Sequence, residues 1–170
     1  MSKKTVFLQI INHFIHPDAQ APDLSELTAE DLTELLKQGA VHSLYPVLFD
    51  GLYRAPAFAA LPEQVQQSCR SRARQQIIGQ TMRTMNFLRL YELICSRGIR
   101  PLVVKGVILR NLYPNPDARA SSDEDLLVRR EEFADLDQLL REQGFQRDDV
   151  ENPLEAHEIT YRNEKNGLHL

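Results

Sequence analysis

Lys105-Gly-Val-Ile-Leu-Arg-Asn-Leu-Tyr-Pro-Asn-Pro-Asp-Ala-Arg-Ala-Ser-Ser-Asp-Glu-Asp-Leu-Leu-Val128 is where the sequence turns from helical to α/β patterning. It follows Ile99-Arg-Pro-Leu-Val-Val104, a short run rich in β-branched residues that reads as a strand. Val107 to Tyr113 then reads as a brief helix, Pro114 to Ser122 as a loop, and Asp125 to Val128 as a second strand. Gly106 stands at the junction from strand to helix. A glycine there lets a ligand approach the backbone closely, and free N–H groups at a helix start favour phosphate. Further on, Asp123-Glu124-Asp125 leads into the second strand. Alternation along extended chain puts the Asp123 and Asp125 side chains on one face and Glu124 on the other. Neighbouring carboxylates repel unless a cation neutralises them. Such a pair suits one or two Mg²⁺ ions, which prefer carboxylate oxygens, water and phosphate. Taken alone, Asp-x-Asp is a weak signal, because most acidic loops are merely solvated. The glycine junction before it, the apolar strand after it and Arg119 nearby give the combination its meaning.

On the C-terminal side, Arg130 to Gln143 reads as a helix closed by Gly144. Phe145 to Asp148 reads as a third strand, and His157 to Arg162 as a fourth that turns at Asn166-Gly167 into Leu168-His169-Leu170. Strands average about 5 to 6 residues, so the last one is expected to be cut short and to continue past Leu170. Toward the N-terminal side the pattern is helical. Phe7, Ile10, Ile11 and Phe14 form the apolar face of a first helix, and Pro17 to Pro22 a linker. Thr28-Ala-Glu-Asp31 has the spacing of a capping box, opening a helix expected to stop at Gly39. Val41 to Leu52 contains Pro46 and is read as two short pieces or a kinked helix. The longest helical pattern runs from about Glu63 to Arg97, with Ile77, Ile78, Thr81, Met85, Leu88, Tyr91, Leu93 and Ile94 as its expected buried stripe. The expectation is an α+β fold, with residues 1–97 as a helical lobe and residues 98–170 as the first part of an α/β core.

Composition narrows the field of functions. The 170 residues are 42% hydrophobic and 26% charged, which excludes fibrous, low-complexity and largely disordered chains. Two cysteines, Cys69 and Cys95, are too few for a disulfide framework or a Cys-rich zinc module, and both are read as reduced thiols of the core in a cytoplasmic setting. No apolar run approaches the roughly 20 residues of a membrane span. Net charge is −4, against general nucleic-acid binding, yet the charges are segregated. Residues 65–120 hold 10 basic and 2 acidic side chains, whereas residues 121–170 hold 6 and 14. The boundary falls between Arg119 and Asp123. That is where basic groups would meet phosphate and acidic groups a metal, although two solvated faces of opposite sign would give the same count.

Lys105-Gly106-Val-Ile-Leu109, Tyr113-Pro114, Arg119 and Asp123-Glu-Asp-Leu-Leu-Val128 together resemble the uncharacterised nucleotidyltransferase-like family of the DNA polymerase β superfamily. Ala40-Val-His-Ser-Leu-Tyr-Pro-Val-Leu48 and Leu139-Leu-Arg-Glu-Gln-Gly-Phe145 add to the resemblance, which covers about Leu32 to Leu170. It implies a mixed sheet with flanking helices and a metal-dependent transfer of a nucleoside monophosphate from an NTP to an acceptor. By position, Asp123 and Asp125 would be the catalytic carboxylates and ligands of Mg²⁺ (or Mn²⁺). Lys105-Gly106 would stand where the superfamily holds the triphosphate, and Arg119 and Ser121 would contact phosphate or support the loop.

Three departures qualify this. Val107 replaces the serine of the superfamily's Gly-Ser. Glu124 replaces an apolar residue, implying an exposed sheet face or a decayed motif. The third carboxylate is expected past Leu170, with Glu158 and Glu164 the nearest substitutes. His157 and His169, on adjacent expected strands, read as ordinary strand histidines before a metal pair. No Ser-His-Asp spacing, Walker-type loop or GxGxxG occurs, and aromatics at 7% with no Trp give little support to an RNA platform. The leading expectation is thus a nucleotidyltransferase acting on a small molecule or protein. A non-catalytic binding or regulatory relative is the alternative, and an NTP-binding toxin or kinase-like partner a weaker third.

Overall fold

A computed structural model describes residues 2–150, 152–153 and 155–170. The chain forms seven α-helices and five short strands among these residues, confirming the α+β class. They divide into two compact units: Met1–Gln80 with Asn111–Ala120, and Thr81–Arg110 with Ser121–Leu170.

The first unit is helical. Helix α1 (Lys3–Ile15) buries Val6 and Ile10, with Phe7, Ile11 and Phe14 packed beside them. Helix α2 (Ala29–Val41) begins at the expected box: Asp31 N–H donates to the Thr28 hydroxyl at 3.1 Å, and Thr28 N–H to the Asp31 carboxylate at 3.1 Å. It does not stop at Gly39. That glycine keeps helical geometry and gives room to Leu48, whose side chain would sit 3.1 Å from an added Cβ. The turn is made instead at Ser43, which takes φ +57°. Helix α3 (Tyr45–Leu52) follows, with Pro46 in the first turn, where a missing N–H costs nothing. After α4 (Pro56–Ala59), the core is completed by Leu32, Leu35, Leu48, Leu52 and Phe58, each at most 1% exposed. Side chains buried to this degree contribute about 1.5–3 kcal/mol each.

Helix α5 (Glu63–Ser96) has nearly the expected length, but its buried line differs from the expected stripe. Ala73, Phe87, Leu90 and Ile94 are buried, whereas Ile78, Met85 and Leu88 are half exposed. Burial follows the i, i+3 and i, i+7 series through Phe87; it keeps Ile94 of the expected stripe and otherwise lies one to two positions from it. Cys95 is exposed rather than in the core, and Cys69 is half-buried against the first unit's core; both thiols are free.

The second unit sets α7 (Phe133–Glu142) behind two small antiparallel sheets. Strand β1 (Leu102–Val103) pairs with β2 (Leu126–Leu127) in the register Leu102↔Leu127 and Val103↔Leu126. Strand β3 (Gln146–Arg147) pairs with β4 (Tyr161–Asn163), and β4 with β5 (Leu168–His169) across the turn at Gly167. The pairings among the described residues are all antiparallel, where the resemblance implied a mixed sheet. Glu124 N–H donates to the His169 carbonyl at 3.0 Å and links the two sheets. Strand β4 starts later than expected, at Tyr161, which exchanges backbone hydrogen bonds with Leu170. Leu136, Leu139 and Leu140 of α7 meet Phe87, Ile94, Phe145, Tyr161 and Leu168 in the core.

Asp137 ties α7 to the sheet. Its carboxylate accepts from the Tyr161 hydroxyl at 2.7 Å, Arg141 Nε at 3.0 Å and Arg147 Nη1 at 3.2 Å. Burial raises its pKa, but these hydrogen bonds and the arginine charges outweigh that and hold it below the ordinary 3.8. A carboxylate depressed in the folded state stabilises the fold above its unfolded pKa, and the contribution is lost as pH falls through the folded value. Urea unfolding from pH 6 to pH 3 should therefore show stability falling with acid. Asp137→Asn should be less stable at pH 6 by about 1–3 kcal/mol and should show a shallower pH dependence. Equal slopes for the two proteins would refute this role.

Candidate functional site

Strand β1 leads through Val104 to Lys105 and Gly106, and α6 (Val107–Arg110) begins at the next residue. Strand β2 brings Asp123, Glu124 and Asp125 alongside, because the ladder extends one step past the paired residues: Val104 N–H donates to the Asp125 carbonyl at 3.0 Å. The Lys105 ammonium stands 3.6 Å from Asp125 Oδ2, with the lysine side chain 64% and the aspartate 34% exposed. Two of the residues expected at the site are thus in direct contact. Asp123 is solvent-exposed; its carboxylate accepts from the Ser122 hydroxyl at 3.0 Å. The Ser121 hydroxyl donates to the Asp123 carbonyl at 3.1 Å, and the Ser121 carbonyl accepts from Arg83 Nη1 at 3.1 Å. Ser121 therefore braces the loop that presents Asp123.

Glu124 corrects the expectation most sharply. It does not lie on an exposed face; it is 5% exposed, and both carboxylate oxygens accept hydrogen bonds. Oε2 accepts from Val107 N–H at 2.6 Å, and Oε1 from Arg110 Nη2 at 2.8 Å. Arg110 is itself 1% exposed. Burial raises the Glu124 pKa, while the Val107 amide and the Arg110 charge act in the opposite direction, and the Asp123 charge adds to the rise. Gly106, at φ +57°, is where the two segments come closest: an added Cβ would fall on Glu124 Oε2. The glycine makes room for a side chain of the same protein.

Arg110 and the structural part of Glu124 were missed by reading residue types one at a time. The one available signal was Glu124 itself, a charge where the resemblance calls for an apolar side chain. Arg119 belongs to the first unit, its guanidinium 5.7 Å from the centroid of the Tyr113 ring, whereas Lys105, Gly106, Ser121, Asp123 and Asp125 belong to the second.

A cavity of about 500 Å³ opens beside Lys105 and Asp125. Its apolar wall comes from Phe133, Leu136, Leu140, Ile159 and Tyr161, and Arg130, His157 and Glu158 supply polar groups. The volume is in the range of small-molecule sites. Glu158 thus lines the same cavity as Asp125, while Glu164 is exposed in the turn between β4 and β5. Among the described residues no three His, Cys, Asp or Glu side chains come together as a metal cluster. His157 lines this cavity and lies before β4, whereas His169 lies on β5. No helix among the described residues is long and apolar enough to cross a membrane.

The chain combines a helical unit with an α+β unit in which a Lys-Gly turn stands against an Asp-x-Asp strand. Residues 28–170 match the family model described as uncharacterised nucleotidyltransferase, and the chain belongs to that family. No curated protein and no solved structure matches it.

Proposed function

We propose that this chain transfers a nucleoside monophosphate from an NTP to a small-molecule or protein acceptor, with Mg²⁺ or Mn²⁺ held by Asp123 and Asp125. The observation that carries the reading is the contact of the Lys105 ammonium with Asp125 at 3.6 Å, which sets a cation for phosphate beside a carboxylate for metal. Two carboxylates fit the donor set: Mg²⁺ is held by one or two of them, with substrate phosphates and water completing the shell. A divalent cation bound there would neutralise the carboxylates and polarise the phosphate being transferred. Lys105 would offset charge on the triphosphate, and the Lys105-Gly106 turn would orient it. Ser121 serves by bracing the Asp123 loop, and the cavity beside Asp125 has the room and the apolar wall to receive the acceptor or the base. Free thiols at Cys69 and Cys95 suit a reducing, cytoplasmic setting.

One observation favours a second reading, a non-catalytic binding module. The first amide of α6, at Val107, is already taken by the Glu124 carboxylate and is not offered to a ligand anion. Calorimetric titration of each of the four NTPs, with and without Mg²⁺, separates the readings. The transferase reading expects tighter binding with Mg²⁺ for at least one NTP. If none binds more tightly with the metal than without it, the transferase reading fails and the second stands.

A further inference from the structure

We propose that Glu124 is a positioning residue whose carboxylate ties the Lys105–Gly106–Val107 turn to the strand carrying Asp123 and Asp125, with Arg110 as its counter-charge. The proposal deepens the transferase reading and rests on it for its functional consequence. Its structural part stands on the contacts alone.

The β1–β2 ladder is short. It pairs Leu102 with Leu127 and Val103 with Leu126, and its last bond on this side runs from Val104 N–H to the Asp125 carbonyl. Beyond that bond the backbone turns away at Gly106, so nothing in the ladder fixes Lys105 against Asp125. Glu124 supplies the missing constraint from the opposite face of the same extended segment. One oxygen holds the first amide of α6 at 2.6 Å and the other holds Arg110, in its last position, at 2.8 Å. A single side chain thereby grips both ends of the helix that follows the turn. Gly106, with no Cβ, lets the carboxylate lie against the turn's backbone.

Stability alone is a poor reason for this arrangement. A buried ion pair returns little over a well-packed apolar pair, because both charges must be stripped of water. Here the return is lower still, since Arg110 Nη1 is buried without a hydrogen-bond partner among the described residues. What an apolar pair cannot do is accept the Val107 amide. The geometry therefore points to orientation as the role of the carboxylate. Its consequence is to hold Lys105 at a set distance from Asp125.

The test compares two double variants of the whole chain. Glu124→Leu/Arg110→Met keeps the volume and removes every polar contact. Glu124→Gln/Arg110→Met removes both charges but leaves a side-chain oxygen able to accept Val107 N–H. Three quantities are read: melting temperature, amide hydrogen exchange over residues 105–110 against α7, and affinity for Mg·ATP.

The Leu/Met variant is expected to melt near the wild type. It should lose protection over residues 105–110 about tenfold with α7 unchanged, and bind Mg·ATP about tenfold more weakly. The Gln/Met variant should recover both protection and affinity. Wild-type protection and affinity in the Leu/Met variant would overturn the proposal, showing that the pair only fills the interior. Should that variant fail to fold, the Gln/Met variant decides alone: retained protection supports the tie, and lost protection despite the available acceptor overturns it. If the wild type binds no Mg·ATP, the transferase reading falls, while the exchange contrast still decides the positioning role.

Discussion

Gly106→Ala should destabilise the second unit by about 3–5 kcal/mol, the range seen when one partner of a buried ion pair is removed. Two effects act in the same direction. The backbone at Gly106 has φ +57°, a left-handed conformation that costs a residue with a Cβ roughly 1–2 kcal/mol. The new methyl would also fall on Glu124 Oε2, with the Asp123 carbonyl oxygen 3.1 Å away on backbone that cannot yield. Glu124 would have to leave its place, and Arg110, 1% exposed, would remain as an uncompensated buried charge. The diagnostic is the double variant Gly106→Ala/Glu124→Ala. Part of the damage in each single variant is the same lost contact, so the two effects should fall short of additivity by about 1–3 kcal/mol. Denaturant unfolding of the four proteins in this cycle measures that coupling. A Gly106→Ala protein within about 0.5 kcal/mol of the wild type would mean that Glu124 does not pack on the turn.

Asp125→Ala is expected to leave the fold intact and to weaken Mg·NTP binding at least 10- to 100-fold, a loss already typical of mutating groups that merely support metal ligands. The fold should tolerate it because the contact with Lys105 is largely exposed, and such pairs contribute about 0–1 kcal/mol. The sign of the metal-free control makes the prediction specific. Without Mg²⁺, deleting Asp125 removes a negative charge from the approach of a triphosphate and releases the Lys105 ammonium. Metal-free NTP affinity should therefore hold or rise while Mg·NTP affinity collapses. Equal losses with and without Mg²⁺ would assign Asp125 to the orientation of Lys105 and take it out of metal binding.

Much of the architecture is legible in the residues because it depends on local chemistry. The box at Thr28 and Asp31 forms as its spacing implies, since a hydroxyl and a carboxylate three residues apart can satisfy each other's backbone amides. The long helix ends before Gly98, and the hairpin turns at Gly167, each at a glycine with positive φ. The misreadings arise where a tertiary neighbour decides. Gly39 reads as a helix stop, but Leu48 is the reason for the missing side chain. In α5 the expected stripe counted apolar residues, whereas burial is set by which turns of the helix face the two cores; Phe87 was passed over and Met85 wrongly included.

At the site, Lys105 and Asp125 were each singled out by residue type, and their contact comes from the fold. Glu124 resisted the same reasoning. A glutamate between two aspartates looks solvated until its partner, Arg110, is recognised 14 residues earlier in the chain. Arg110 was invisible for the complementary reason, as a charged residue in a four-residue helix whose inward face is too short to show a period. Neither residue announces burial alone, and only the fold that brings them together does so.

Asp123 and Asp125 are proposed to hold a divalent cation through which an NTP is bound. Calorimetric titration of Mg·NTP into the wild type and into Asp123→Ala/Asp125→Ala addresses it most directly. Mg²⁺-dependent binding to the wild type and its loss in the variant, with melting temperature unchanged, is the expected result. A variant that binds Mg·NTP as tightly as the wild type would contradict it.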